Sequence, residues 1–373
     1  MALNTVSTNR LATNVKTSNL GSELKGKVGK LKNLVINGAM NVAQRGTSST
    51  STGYQTVDRF QVAPSGLDEN ATQAQVDVSS GTTPYTLGFR KAYKLTNGNQ
   101  TSGAGAADNI RIIYQVEAQD LANSGWNYLS SSSYITLSFW VKSSVAQNFN
   151  FQLRSKDGTN QSYPFETGSL SADTWTKITK TIPGNSNLTF NNDNGSGMEI
   201  NFWLFAGTDY TDSGVSLNAW AAYAGGTRTP DQTSTWYTTN NATFELTGVQ
   251  LELGSVATDF EHKSFALDLA LSQRYYFRIP YQGASNGGGV YLGSGKETGS
   301  NARVSVDFPV PMRAIPSCAA SNLLADDETS ATSANTVASV LASSVEPDRG
   351  RIEFSGGSYS SGNSISLATS QAT

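Results

Sequence analysis

One cysteine, Cys318, and one histidine, His262, occur in 373 residues. The first scarcity excludes a disulfide framework, a cysteine-rich zinc site and any paired-thiol redox centre. The second excludes a histidine-rich metal site and leaves a single candidate for an imidazole base. No apolar run approaches the roughly 18–20 residues that a membrane-spanning helix needs, and residues 1–33 lack the apolar central region of a secretory signal. Charge is sparse too: 26 Lys/Arg and 29 Asp/Glu, a net charge of −3. In its place stand 48 Ser, 39 Thr, 30 Asn and 35 Gly, so the surface is neutral and hydrogen-bonding rather than ionic. A 37% hydrophobic fraction that includes 6 Trp, 15 Tyr and 15 Phe still supplies packed cores. The length suits two domains, since single cores rarely extend far past ~250–300 residues.

Charge is also unevenly placed. Residues 1–33 carry Arg10, Lys16, Lys25, Lys27, Lys30 and Lys32 against Glu23. A basic arm of this kind binds an acidic protein surface or stays solvated. It holds no aromatics to interleave with the charge, which argues against single-stranded nucleic acid as its partner. A faint helical stripe (Leu20, Leu24, Val28, Leu31, Val35) is broken by Gly21, Gly26 and Gly29, so the arm is expected to order only against a partner or copies of itself.

From residue 34 to about 262 the hydrophobic pattern has period two. Ile135, Leu137, Phe139 and Val141 alternate with Thr136, Ser138, Trp140 and Lys142; Met198, Ile200, Phe202 and Leu204 alternate with Glu199, Asn201, Trp203 and Phe205. Similar runs fall at 57–62, 110–116, 149–153, 175–182 and 242–253. Such alternation predicts strands with one face on a core and one on solvent. Many strands, polar turns and no βαβ rhythm predict a mainly β protein, an antiparallel jelly-roll β-sandwich. Residues 264–276 break the rhythm: Ser264 suits an N-cap, and Phe265, Leu267, Leu269 and Leu271 surround a short helix expected to be buried. Beyond it, strands are expected at 290–292, 303–309 and 351–354, with a long Ser/Ala/Thr-rich loop at 329–344. The expected organisation is an attachment arm (1–33), a jelly roll (34–262), a linker helix (263–279) and a second, C-terminal β-domain (280–373).

Catalytic motifs are missing. No Gly-x-Ser-x-Gly elbow occurs, and His262, though near Asp259 and Glu261, has no marked nucleophile, so it reads as a structural histidine at the end of the last jelly-roll strand. Gly293–Gly299 resembles a phosphate loop, but Val290 stands where its first glycine belongs and Glu297 where Ser or Thr is needed; it reads as a hairpin turn. Pairs such as Asp209 with Asp212, or Glu245 with Glu252, arise in any chain this rich in acids and mark no glycosidase. Asp193, among four neighbouring Asn and Gly residues, and Glu199 beyond it offer oxygen ligands for a structural calcium, without the spaced pattern of a helix–loop–helix site. No other cofactor is implied. The informative group is aromatic: Trp220, Tyr223, Trp236 and Tyr237 in a polar stretch, with Trp140 and Trp203 on the polar parity of their strands. Rings beside amides suit sugars, stacking on C–H faces while amides bind hydroxyls; packing against a second sheet or subunit is the competing role.

Four segments carry a resemblance: NLVINGAMNVAQRG (33–46), YQTVDRF (54–60), TGVQLELGSVATDFEHKSFALDLALSQRYY (247–276) and FPVPMRAIPS (308–317). Together they resemble a family of bacteriophage tail-fibre and tail-appendage proteins built on a jelly roll similar to carbohydrate-binding modules. The resemblance implies a virion location, a homotrimer, attachment to tail or adaptor proteins through the N-terminal arm, and distal β-domains that contact the host surface; the expected receptor-binding tip is 280–373, and the expected receptor is host polysaccharide. With the missing catalytic motifs and apolar spans, the expectation is a non-enzymatic receptor-binding subunit with neither nucleic acid nor membrane insertion. Two other readings stay open: a head-fibre, decoration or connector protein with a purely structural jelly roll, and a glycan depolymerase.

Overall fold

A computed structural model describes residues 32–278, 291–297, 301–317 and the further strands within 323–369. The chain divides into two compact units, Met1–Ser264 and Phe265–Thr373. Five of the six basic arm residues, Arg10, Lys16, Lys25, Lys27 and Lys30, lie outside the described residues.

The first unit contains, in order, β1 (Ser48–Ser49), β2 (Phe60–Ser65), β3 (Thr72–Asp77), α1 (Thr83–Thr86), β4 (Lys91–Thr96), β5 (Asn109–Glu117), α2 (Ala118–Ala122), β6 (Tyr134–Ser143), β7 (Asn148–Ser155), β8 (Gln161–Ser169), β9 (Thr176–Pro183), β10 (Ser196–Ala206), β11 (Ala221–Ala222), α3 (Thr235–Thr238) and β12 (Thr243–Leu253). They form two six-stranded sheets, β1-β3-β4-β12-β6-β9 and β11-β8-β7-β10-β5-β2. Every strand pair within them is antiparallel. The chain weaves from one sheet to the other, and only β3–β4 and β7–β8 are consecutive hydrogen-bonded neighbours. This weave makes the predicted jelly-roll-type sandwich.

The alternation read from the sequence explains the core. Phe139 of β6 meets Phe151 of β7 and Phe202 of β10 edge-on, with ring centroids 5.1 and 5.3 Å apart, and Phe149 meets Phe244 of β12 at 5.1 Å. Offset and edge-on rings are the favoured packing of aromatics. One expectation fails: the second face of β10 is not on solvent. Every residue from Gly197 to Ala206 is buried, because the chain after β10 covers that side.

The ends of the first unit clasp each other. The Lys32 and Asn33 N–H groups donate to the Glu261 carboxylate at 3.0 and 2.9 Å, and Asn33 Nδ2 donates to the Val249 carbonyl at 3.0 Å. Lys32 Nζ donates to the Asp259 carbonyl, so Lys32 takes part in the sandwich closure. Lys263 Nζ reaches back to the Asn33 carbonyl at 3.3 Å. In the next turn, Asn37 (φ 59°) ties the chain by donating to the Val42 and Asp58 carbonyls while its Oδ1 accepts from Val42 N–H. The quoted segments 33–46 and 54–60 thus encode a turn lock. Between Thr247 and Gln250 the β12–β6 register slips; Gly248 at φ +63° forms this bulge, and a Cβ there would stand 2.7 Å from the Phe89 ring.

In the second unit, α4 (Phe265–Gln273) precedes β13 (Tyr291–Glu297), β14 (Asn301–Asp307), β15 (Leu323–Asp326), β16 (Asn335–Thr336), β17 (Ser339–Val345), β18 (Arg349–Ser355) and β19 (Ser364–Thr369). The strands make one antiparallel sheet, β16-β15-β19-β13-β14-β18-β17. Two expectations are corrected. The stretch 329–344 contains strand: β17 pairs with β18 from Ser339. Gly293–Glu297 is strand rather than turn, paired with both β14 and β19. The helix also differs: Phe265 is 59% exposed and Leu267 38%, while Asp268 and Ser272 are buried. Apolar residues at 265, 267, 269 and 271 recur with period two, which scatters them round a helix, whereas 268 and 272 share one face.

Candidate ligand-binding face

The predicted aromatic residues separate into three environments. Trp236 and Tyr237 sit on α3 and are 0% and 1% exposed. Trp236 Nε1 donates to the Thr243 carbonyl at 3.0 Å, and Tyr237 stacks on Phe205 at 4.4 Å. Both rings fill the main core, so neither presents a face to a sugar; the short helix turns them inward. Trp140 lies on the outer side of the first sheet, half-buried against a satellite cluster with Phe89, Trp175 and Phe260. His262 joins that cluster, its Nε2 2.8 Å from the Leu87 carbonyl and its ring 5.0 Å from Phe89, well past the end of β12. Trp220 packs on Tyr163 at 5.2 Å and donates Nε1–H to the Pro183 carbonyl at 2.7 Å.

Trp203 and Tyr223 remain, and both lie on the outer side of the second sheet. The ladder aligns three rungs there. Trp203 of β10 stands between Asn150 of β7 and Arg111 of β5; Asn201 stands between Gln152 and Ile113; Glu199 stands between Arg154 and Gln115. Cross-strand partners share a face, so these side chains form one surface. Residues 207–234 roof it. Gln152 Nε2 donates to the Arg228 carbonyl at 3.0 Å, Arg228 N–H to the Tyr210 carbonyl at 2.8 Å, and Tyr223 N–H to the Asn160 carbonyl at 2.9 Å.

Guanidinium groups lie on the rings of this face. Arg111 is 4.5 Å and Arg228 5.5 Å from the Trp203 centroid, Arg228 is 4.5 Å from Tyr210, and Arg154 is 3.7 Å from Tyr223. These are cation–π distances. Burial first, and then the neighbouring Arg228 charge, lower the Arg111 pKa from its ordinary value. Glu199 supplies a counter-charge, 3.1 Å from Lys156 and 3.8 Å from Arg154.

The first rung also carries a polar deficit. Trp203 Nε1, Arg111 Nε and Asn150 Oδ1 are buried and make no hydrogen bond within the protein. Buried polar atoms are ordinarily satisfied, and an unsatisfied one costs about 1–3 kcal/mol. Here three lie on adjacent strands of one rung, two donors and an acceptor, beneath residues 207–234.

The candidate calcium residues have other partners. Asp193 Oδ1 accepts from Gly195 N–H at 2.9 Å in a local turn, and Glu199 is held by Lys156 and Arg154. Among the described residues no group of three His, Cys, Asp or Glu is placed to hold a metal. The acids Glu245 and Glu252 are engaged separately, Glu245 with Lys142 at 3.0 Å and Glu252 with Thr258 N–H at 2.7 Å. No helix among the described residues is long and apolar enough to cross a membrane.

Arg111, Asn150, Gln152, Arg154, Asn201 and Arg228 are absent from the sequence-based expectation. Strand parity puts 111, 150, 152, 154 and 201 opposite core residues and so on the outer face. The cross-strand alignment and the fold-back of 207–234 are long-range and leave no local pattern.

No protein-family profile matches the chain, and no curated protein matches it, so the tail-fibre resemblance has no counterpart there. Among solved structures it is similar to the enzymatically active domain of tailspike protein 4 of bacteriophage CBA120, at 11% identity over 60% of this chain and 21% of that one, with a TM-score of 0.31. It is also similar to a structure described as "CBM4 structure and function" (11% identity, 58% of this chain, 98% of that one, TM-score 0.29). A third is the N-terminal CBM22-1–CBM22-2 tandem domain of Paenibacillus barcinonensis Xyn10C (9% identity, 93% and 92%, TM-score 0.29). The chain thus spans about a fifth of the tailspike structure. The sandwich assignment itself rests on the two sheets and their register.

Proposed function

We propose that the first unit is a non-catalytic glycan-binding module on a bacteriophage tail fibre or related appendage, and that the outer face of the second sheet receives the sugar. The observation that carries this reading is the half-exposed group of rings and guanidiniums on this face, Arg154 over Tyr223 and Arg228 over Tyr210, above the buried Asn150–Trp203–Arg111 rung with its unpaired donors and acceptor. The quoted segments 33–46, 54–60, 247–276 and 308–317 support the phage assignment. Contacts of this size are weak singly, and several copies on one particle, as in a homotrimer, raise the effective concentration enough for adhesion.

The test is titration of the full chain with purified bacterial surface polysaccharides, with parallel assay of reducing ends. Trp203→Phe keeps the ring and removes the N–H, and Asn150→Ala removes the acceptor. Each is expected to weaken binding about tenfold, with no reducing ends released by any form. Equal binding by wild type and both variants would remove this face from the reading, and release of reducing ends would replace it with a depolymerase.

A further inference from the structure

The outer face of the second sheet carries more positive charge than its carboxylate answers. Arg111, Arg154, Lys156 and Arg228 meet there around Glu199. Glu199 engages Lys156 and Arg154; neither Arg111 nor Arg228 makes an ion pair among the described residues. The chain as a whole has a net charge of −3, so the excess is local and opposes the average. Like charges held together on a half-buried face cost free energy, and burial of Arg111 raises that cost.

Stacking sets the direction in which these groups act. A guanidinium lying on a ring uses its π face and keeps its in-plane N–H edge for acceptors, in the fork that matches a carboxylate. Arg228 is anchored by its Nε, which donates to the Gly225 carbonyl at 2.8 Å. Arg111 Nε has no partner within the protein. Beside it, Trp203 Nε1 is a second unused donor, from a side chain only 1% exposed.

Resting on the glycan-binding reading above, we infer that this face takes an acidic saccharide, a uronic or sialic acid unit whose carboxylate is received by Arg111 and Arg228. Nucleic acid is the other polyanion to weigh. It is recognised along a basic stripe that neutralises many phosphates, and here two cations lie over one tryptophan and two beside one carboxylate, on a chain of negative net charge.

The experiment uses the full chain labelled with 5-fluorotryptophan. Its six tryptophans give six fluorine signals, and Trp203→Phe identifies that of Trp203. Trp126, whose Nε1 donates to the Ser133 carbonyl at 3.3 Å inside the core, is the internal control. The probes are sodium glucuronate, galacturonate and N-acetylneuraminate, with glucose, galactose and a dT oligonucleotide for comparison. The acids are expected to shift the Trp203 signal saturably, at least tenfold more tightly than the neutral sugars, leaving Trp126 unmoved. Arg111→Gln and Arg228→Gln are each expected to weaken that binding about tenfold without changing the melting temperature. If neutral sugars move Trp203 as well as the acids do, the inference fails and the glycan reading stands. If no sugar moves it, both fail, and tighter binding of dT would assign the face to nucleic acid.

Discussion

Gly38 lies directly against the carbonyl of Val249: a Cβ built on Gly38 would stand 2.1 Å from that oxygen and 3.3 Å from Asn33 Nδ2. The contact presses the segment after the quoted NLVI run onto the bulge in β12. The same carbonyl accepts from Asn33, and Val249 N–H donates to the Gly38 carbonyl at 2.9 Å. A single carbon atom at this position disturbs all three.

Gly38→Ala is therefore expected to destabilise the first unit by about 1–3 kcal/mol, the usual cost of overfilling a tight site. For a domain of this size that lowers the melting temperature by roughly 2–4 °C per kcal/mol. Differential scanning calorimetry measures it, and a change under about 1 °C would show that the two backbones part at little cost.

Trp236 and Tyr223 should respond in opposite ways. Trp236→Ala empties a fully buried site and is expected to cost about 3–5 kcal/mol of stability. Tyr223→Ala removes a half-exposed ring under Arg154, worth about 0.5–1 kcal/mol as a cation–π contact, and is expected to act mainly on binding. Urea titration of the two variants, paired with polysaccharide binding, separates them. A stable Trp236→Ala protein that has lost only its affinity would return that residue to the surface.

Asp58 contributes a pH dependence of known sign. Burial raises its pKa above the ordinary 3.8, opposed by hydrogen bonds from Gln44 and by the charges of Arg45 and Arg59. In the window between the unfolded value and the higher folded value, the native state holds a proton that the unfolded chain has released. Stability from this group is therefore present at the acid end and lost as pH rises through that window. Asp58→Asn is expected to flatten this slope in urea midpoints measured between pH 3.5 and 6. An unchanged slope would mean that Asp58 titrates alike in both states.

Glu199 tests the charge of the face. Its carboxylate is 9% exposed and lies between Lys156 and Arg154, themselves 27% and 21% exposed. Glu199→Gln leaves both cations without their partner and is expected to cost about 1 kcal/mol, the upper end for a pair still partly in water. It should also strengthen binding of acidic saccharides several-fold and steepen its salt dependence. Weaker binding of acids by the variant would place Glu199 among the sugar contacts.

What the sequence made legible is local. Alternation in 134–142 and 198–205 named the inward residues Ile135, Leu137, Phe139 and Val141, and Met198, Ile200, Phe202 and Leu204, all buried. Short strands with little apolar contrast escaped it: β3 reads TQAQVD and β8 reads QSYPFETGS. Trp236 and Tyr237 looked like surface rings because their neighbours are Thr, Ser and Asn, and only the α3 turn shows which way they point. Trp203 was placed on the correct parity, but its neighbours Asn150 and Arg111 come from strands that are about 50 and 90 positions distant in the chain. Such alignment is a property of the ladder, and no window of residues contains it.

The clasp of Lys32 and Asn33 with Glu261 and Lys263 has a mechanical consequence. Entry and exit of the sandwich are neighbours, so tension along the chain enters and leaves at one corner of the lobe. Its load falls first on a few hydrogen bonds at that corner, which open one after another as a zip does, while the edge-on phenylalanines beyond stay unstressed. The two sheets behind that corner keep their pairing while the chain is pulled.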